Sequence, residues 1–174
     1  MDDATQTAVI VTVPSAERAV AEHRGLYDPA ATWGVPAHVT ILYPFVPPSE
    51  VNARVIETLR AAIRSIPRFE AVCHTTGWFD TDVLWLDPQP ADPFEALTTA
   101  VVHAFPGYLP YGGEYDEVVP HVTVAHRDGA VHLREVERQV RRHLPIEISV
   151  TAAELWRGTF AAASWERVAA LPLG

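Results

Sequence analysis

Apolar residues come along this chain in two rhythms, one of period two and one close to period 3.6, broken by prolines and glycines. Thr7 to Val13 is a continuous apolar, β-branched run, as a buried strand requires. Pro14-Ser15 then offers a helix start, and Ala16 to Arg24 follows in helix-forming residues. A loop containing Gly, Pro and Trp runs from Gly25 to Pro36, and His38 to Phe45 (HVTILYPF) returns to the strand pattern. Ser49 predicts the N-cap of a helix over Glu50 to Ile66, whose stripe is Val51, Val55, Ile56, Leu59, Ile63 and Ile66. Strands are expected near Arg68 to Phe79 and Asp82 to Leu86, with a turn at Asp80-Thr81. Asp92-Pro93 reads as an N-cap and first helical residue for a helix to Phe105.

After a Gly- and Tyr-rich loop from Pro106 to Val119, the pattern repeats. His121 to Ala125 is strand-like, Val131 to Leu144 helical, and Ile146 to Trp156 and Trp165 to Leu171 read as strands. Subtraction supports a duplication. His121 minus His38 and Thr123 minus Thr40 are both 83, while Pro145 minus Pro67 and Trp156 minus Trp78 are both 78. The expected fold is α+β, a single bilobal pseudo-twofold domain over 1–174. Two mainly antiparallel sheets would face a central cleft, with helices outside and Trp78 and Trp156 packing equivalent places.

Composition narrows the partners. The chain has 174 residues, 48% of them hydrophobic, which is enough for a substantial core. No apolar run approaches the roughly 18 residues that span a bilayer, and the start, Met1-Asp2-Asp3, is acidic where a secretory signal is basic. A cytoplasmic, monomeric protein is expected. The formal charge is −9, against the basic surface that grips long nucleic acid. A small phosphate ester in a locally positive pocket remains compatible with it. Cys73 is the one cysteine, so no intramolecular disulfide or Cys-based zinc cluster forms, and its apolar setting predicts an inert thiol.

The chemistry lies in the paired tripeptides His38-Val39-Thr40 and His121-Val122-Thr123. Alternation in a strand points residues i and i+2 the same way, so each strand offers an imidazole and a hydroxyl together. In-line displacement at a phosphodiester needs that set twice: one neutral histidine to take a proton, one protonated histidine to give one. The threonine hydroxyls would donate to the non-bridging oxygens. A lone His-apolar-Thr is a weak signal and is more often structural. Two copies, each with a proline within two residues before it and each leading an apolar strand, favour function.

The two motifs, His38-Val39-Thr40-Ile41 and His121-Val122-Thr123-Val124, resemble those of the 2H phosphoesterases, and among them the bacterial 2′-5′ RNA ligase-like proteins. The resemblance covers nearly the whole chain. It implies a bilobal α+β fold and cofactor-free, metal-independent catalysis on 2′,3′-cyclic phosphates or related small phosphodiesters, including the end of a short RNA. By the same resemblance His38 and His121 are the catalytic pair, and Thr40 and Thr123 bind phosphate. Two alternatives stand beside this reading: 2′-5′ RNA ligation, and a non-catalytic module for a nucleotide or RNA end. Members often carry an aromatic two places after each threonine, where this chain has Leu42 and Ala125. They often carry an arginine three places after the second threonine, where it has His126.

Other residues are secondary candidates. Tyr43 and Phe45 continue the first motif strand toward the cleft mouth, and Tyr111 and Tyr115 lie in the loop entering the second. A flat ring there could stack on a base, and packing is the rival role. Arg127 could turn toward a phosphate. His126, at odd spacing from His121, is expected on the opposite strand face, which argues against a metal pair. His23, His74, His103, His132 and His143 are expected in surface or packing roles.

Overall fold

The computed structural model describes residues 4–127 and 132–174. Its elements are β1 (Gln6–Thr12), α1 (Glu17–Tyr27), α2 (Pro29–Thr32), β2 (His38–Leu42), α3 (Ala53–Arg64), β3 (Phe69–Phe79) and β4 (Val83–Gln89). There follow α4 (Asp92–Ala104), β5 (Val122–His126), α5 (Leu133–Arg141), β6 (Ile146–Val150), β7 (Ala152–Gly158) and β8 (Glu166–Pro172). The fold is α+β. The expected start of the fifth helix at Val131 lies outside the described residues.

The strands form one antiparallel sheet in the order β6-β3-β4-β5-β2-β1-β7-β8, where two facing sheets were expected. The motif strands β2 and β5 are neighbours at its centre, joined at Val39 opposite Val122. They lie side by side in one sheet and do not confront each other across a gap. The order is also pseudo-symmetric about that join, with β5, β4, β3 and β6 on one side answering β2, β1, β7 and β8 on the other. Each side thus takes strands from both halves of the sequence. The run expected as one strand, Ile146 to Trp156, is divided at Thr151: β6 pairs with β3 on one side, and β7 with β1 on the other.

The four longer helices cover one sheet face, and the short α2 lies on the other. The apolar residues of α1, α3, α4 and α5 meet Val39, Ile41, Val122 and Val124 in a single buried cluster spanning both sides. Burial of this kind contributes roughly 25 cal/mol per Å² of apolar surface. The helices also cross the join, since α1 packs on β5 and α4 on β2. The pairing of Trp78 with Trp156 does not survive. Trp78 packs against the helix-side core, whereas Trp156 joins a smaller cluster of Ala8, Ile10, Val35 and Trp165 on the opposite face. A register shift in β3 between Cys73 and Thr76 changes which face its later residues occupy.

Helix starts show the capping logic, with two corrections. Asp92, expected as an N-cap, is itself the first residue of α4, and Ala91 precedes it with no side-chain cap. Asn52, not Ser49, caps α3: its side chain accepts from the backbone N–H groups of Arg54 and Val55, while Pro48–Glu50 forms a 3-10 turn. Asp28 caps α2, a short helix inside the expected loop, with Pro29 as its first residue. Cys73 is buried, and burial pushes its thiol up to about 12, as suits an inert group.

Candidate active site

A cleft of about 310 Å³ opens on the face away from α1, α3, α4 and α5, at the junction of β2 and β5 and beside the start of α2. His38, Thr40, His121 and Thr123 all line it. Continuing the register of Val39 opposite Val122 by one residue each way sets His38 across from Thr123 and Thr40 across from His121. The imidazoles therefore take diagonal corners of a four-residue patch, where such positions are roughly 7–8 Å apart. That is room for a phosphoryl group between them.

Each imidazole is held the same way. His38 Nδ1 lies 2.7 Å from the carbonyl oxygen of Pro36, and His121 Nδ1 lies 2.7 Å from that of Val119. A carbonyl oxygen only accepts, so each Nδ1 carries the hydrogen and each neutral ring keeps a bare Nε2. Pro36 and Val119 are themselves 83 residues apart. The duplication thus preserves the tautomer as well as the motif.

Both strands also bulge directly after their threonine. Thr40 pairs with Ile10 but Leu42 pairs with Val9, and Thr123 pairs with Trp85 but Ala125 pairs with Leu84. One extra residue enters each strand, Ile41 and its counterpart Val124. Two consecutive side chains are then buried, Ile41 with Leu42 and Val124 with Ala125. On the first side the freed carbonyl of Ile41 accepts from Thr98 Oγ1 of α4 at 2.9 Å. The next residues, Tyr43 and His126, are turned back onto the cleft face, and both line it. His126 is therefore on the same face as His121, contrary to strict alternation.

The remaining candidates separate. Tyr43 lines the cleft, with its hydroxyl donating to Gln6 Oε1 at 3.2 Å. Tyr111 lines it too, docked by its N–H on the Tyr43 carbonyl at 2.6 Å. Burial raises the Tyr111 phenol, partly offset by a hydrogen bond with Thr40. Tyr115 is exposed and meets only the edge of this wall through Tyr111. Phe45 is not a cleft residue: it is buried in the helix-side core against Phe105 and Tyr108. Arg127 does not turn toward the motifs. Its guanidinium lies 3.3 Å from Thr81 Oγ1 and 3.5 Å from Asp82 Oδ1, outside the cleft lining. None of His23, His74, His103, His132 and His143 lines the cleft.

Sequence reasoning missed the pair behind His38. Arg24 and Asp28, both 3% exposed, are joined Nε to Oδ2 at 2.8 Å, and Arg24 also donates to the Val35 carbonyl at 3.1 Å. Their spacing of four on a helix, with Asp28 preceding Pro29, was the available signal. His121 has a different backing: the rings of Phe79 and Trp85 lie at 4.8 and 6.0 Å. Burial, then the Arg24 charge, pushes His38 down to about 4, against the pull of the Pro36 carbonyl. Burial also lowers His121, with the Val119 carbonyl opposing and His126 adding to the shift.

Among the described residues, no three His, Cys, Asp or Glu side chains converge as a metal cage, and no helix is long and apolar enough to cross a membrane. The family model of the 2′-5′ RNA ligase superfamily matches residues 12–159. The fold is similar to Escherichia coli LigT in its crystal structure with 3′-AMP: 17% identity, TM-score 0.61, covering 98% of this chain and 99% of that one. TT0787 of Thermus thermophilus is also similar, at 18% identity and a TM-score of 0.58 over 96% of this chain and 97% of that one. So is a crystal structure described as a phosphoesterase, at 16% identity and a TM-score of 0.58 over 97% and 98%. A search of curated proteins found no match.

Proposed function

The chain belongs to the 2′-5′ RNA ligase superfamily, within the 2H phosphoesterases, and on that premise we propose that it hydrolyses a small nucleoside cyclic phosphodiester by paired-histidine catalysis. The observation that carries this reading is the diagonal quartet, with both Nδ1 atoms tied to carbonyls so that both Nε2 atoms are free for proton transfer. The cleft, about 310 Å³, sits at the small end of the roughly 300–1,000 Å³ typical of ligand sites. Crystal structures of the similar LigT contain 3′-AMP, ATP and NADP+, which favours a nucleotide as the ligand class.

In the proposed reaction a 2′,3′-cyclic phosphate lies between the two imidazoles. Nε2 of neutral His38 takes a proton from water as the water oxygen forms a bond to phosphorus. The opposite P–O bond to the ribose breaks, and Nε2–H of protonated His121 gives its proton to that departing oxygen. A nucleoside monophosphate leaves, and the rings exchange protons with solvent to start again. Thr40 and Thr123 donate to the two non-bridging oxygens, where charge accumulates. Burial and the adjacent Arg24 favour the neutral form of His38 and so make it the base. His121, without such a cation behind it, is the acid.

The test is turnover of 2′,3′-cyclic nucleotides, with product identification, by wild type, His38→Ala and His121→Ala. Each variant is expected to lose roughly 10²–10⁴-fold in kcat. Unchanged turnover in both, or nucleotide binding by wild type with no turnover of any cyclic phosphate, would overturn the hydrolytic reading. The second result would leave a binding module in its place.

A further inference from the structure

A tyrosine in the left-handed backbone region stands at the wall of the cleft. Tyr111 has φ 51° and ψ 34°, a state that glycine takes freely and that residues with a side chain adopt at a cost. Two glycines follow it, Gly112 and Gly113, yet tyrosine takes the first left-handed position. Strain of this kind persists where the surroundings over-determine it. The Tyr111 N–H donates to the Tyr43 carbonyl, just past the end of β2, at 2.6 Å. Its half-buried ring enters the cleft lining with Thr40, and the phenol and the Thr40 hydroxyl are hydrogen-bonded.

The duplication shows what is particular about this residue. Tyr111 minus Asp28 is 83, and His126 minus Tyr43 is also 83. Each half thus brings an equivalent loop residue to an equivalent strand end: Asp28 to His126 at 3.9 Å, and Tyr111 to Tyr43. The polar end of Asp28 is occupied by the fold, since Oδ2 receives Arg24 Nε and Oδ1 accepts from the Ala30 N–H. Tyr43, the other tyrosine of the cleft lining, gives its hydroxyl to Gln6. Tyr111 meets Tyr115 through its ring alone, edge-on at 5.7 Å between centroids, so its hydroxyl is left for Thr40. Thr123 has no tyrosine to match.

We propose that Tyr111 is a positioning residue for the reaction above, on which this inference rests: its phenol turns the Thr40 hydroxyl toward one non-bridging phosphoryl oxygen. A threonine hydroxyl has one hydrogen and two lone pairs. A phenol O–H donating to Thr40 Oγ1 fills a lone pair and leaves the threonine hydrogen for the phosphoryl oxygen. Bonds linked in this way strengthen one another. Burial raises the Tyr111 phenol above its ordinary range, so it keeps its proton while the histidines exchange theirs. The gain is largest in the transition state, where charge gathers on that oxygen, and so it belongs to kcat more than to KM.

A double-mutant cycle on adenosine 2′,3′-cyclic phosphate tests this. Tyr111→Phe keeps the ring and removes the hydroxyl. It is expected to lower kcat by roughly threefold to tenfold, as loss of one neutral hydrogen bond does, with KM held within about twofold. In a Thr40→Ala background the same change is expected to alter kcat by less than about twofold. A stacking role predicts a rise in KM instead, and a merely structural role predicts an equal loss in both backgrounds; either result would overturn the proposal. The two phosphorothioate diastereomers of the same substrate give a second readout. Tyr111→Phe should shift their rate ratio in the direction that Thr40→Ala does and opposite to Thr123→Ala; no shift, or a shift with Thr123→Ala, sinks it. The His38 and His121 variants judge the hydrolytic reading separately. If wild type turns over no cyclic phosphate, equilibrium binding of adenosine 2′-monophosphate, followed by tryptophan fluorescence, replaces kcat in the same cycle. Binding at least about threefold weaker in Tyr111→Phe, with no further loss once Thr40 is alanine, supports the positioning role. Equal binding, or none by wild type, overturns it.

Discussion

The two sides of the candidate cleft share a motif, a bulge and a backbone-locked imidazole, yet their histidines rest on opposite kinds of support. His38 stands in front of a buried guanidinium–carboxylate pair, Arg24 and Asp28. His121 is flanked by two rings, Phe79 and Trp85. A duplicated site begins with two equal imidazoles, and acid–base catalysis needs them unequal. On the proposed mechanism the inequality comes from what stands behind each ring: charge on one side, aromatic surface on the other.

The largest effect that can break this comparison is on the pH–rate profile. A base must be deprotonated, so the acidic limb of kcat/KM belongs to His38 and falls near pH 4; an acid must be protonated, so the alkaline limb belongs to His121 and falls below 6.5. Activity should therefore peak on the acid side of neutrality. In the residual activity, His38→Ala is expected to lose the acidic limb and His121→Ala the alkaline limb. The opposite pairing would reverse the assigned roles.

Arg24→Met probes the charged support next. Removing one partner of a buried ion pair costs roughly 3–5 kcal/mol, because the remaining charge is left unmatched. Chemical denaturation should register that loss. The acidic limb should move up, since Arg24 is a cause of the depressed His38 value, while the alkaline limb stays in place. If both limbs move together, the two supports are not independent.

Stability itself should titrate through His38. Its folded pKa, about 4, lies below the ordinary histidine value of about 6.5, so between those values the unfolded chain binds more protons. The stability this residue permits is present above pH 6.5 and lost as pH falls toward 4. At 1.36 kcal/mol per unit the loss amounts to about 3 kcal/mol. Denaturation of His38→Gln at pH 7 and pH 4 should show a smaller drop than wild type shows. His121 acts in the same direction.

How much of this was legible beforehand follows from which forces act locally. The motif strands, the main helices and the paired tripeptides were readable because alternation and periodicity are local patterns. The bulges were not, since nothing in Ile41 or Val124 distinguishes a residue inserted into a strand from one aligned with its partner. That insertion is decided by pairing with β1 and β4, and it put His126 on the face that alternation denied it. The crossing at Thr151 was hidden for the same reason, because both segments of that run are good strands and only their partners differ. Phe45 was misplaced because its surroundings, Phe105 and Tyr108, come from a distant stretch of chain. Arg24 and Asp28 carried a readable spacing, but only the tertiary position of His38 gives that spacing a catalytic meaning.

The smallest effect tests the aromatic support alone. Phe79 meets His121 edge-on, at 4.8 Å between centroids and 90° between planes, a contact worth roughly 0.5–1.5 kcal/mol for an aromatic pair. Phe79→Ala removes that contact and admits water beside the imidazole. Burial is the leading cause of the lowered His121 value, so solvation should raise it and carry the alkaline limb upward, toward 6.5. The acidic limb should not move, because nothing in the Arg24–Asp28 pair depends on Phe79. Arg24→Met and Phe79→Ala thus form a reciprocal pair, each displacing one limb and sparing the other. If Phe79→Ala shifts the acidic limb as far as the alkaline one, the imidazoles titrate as a single unit and the different supports do not set their roles.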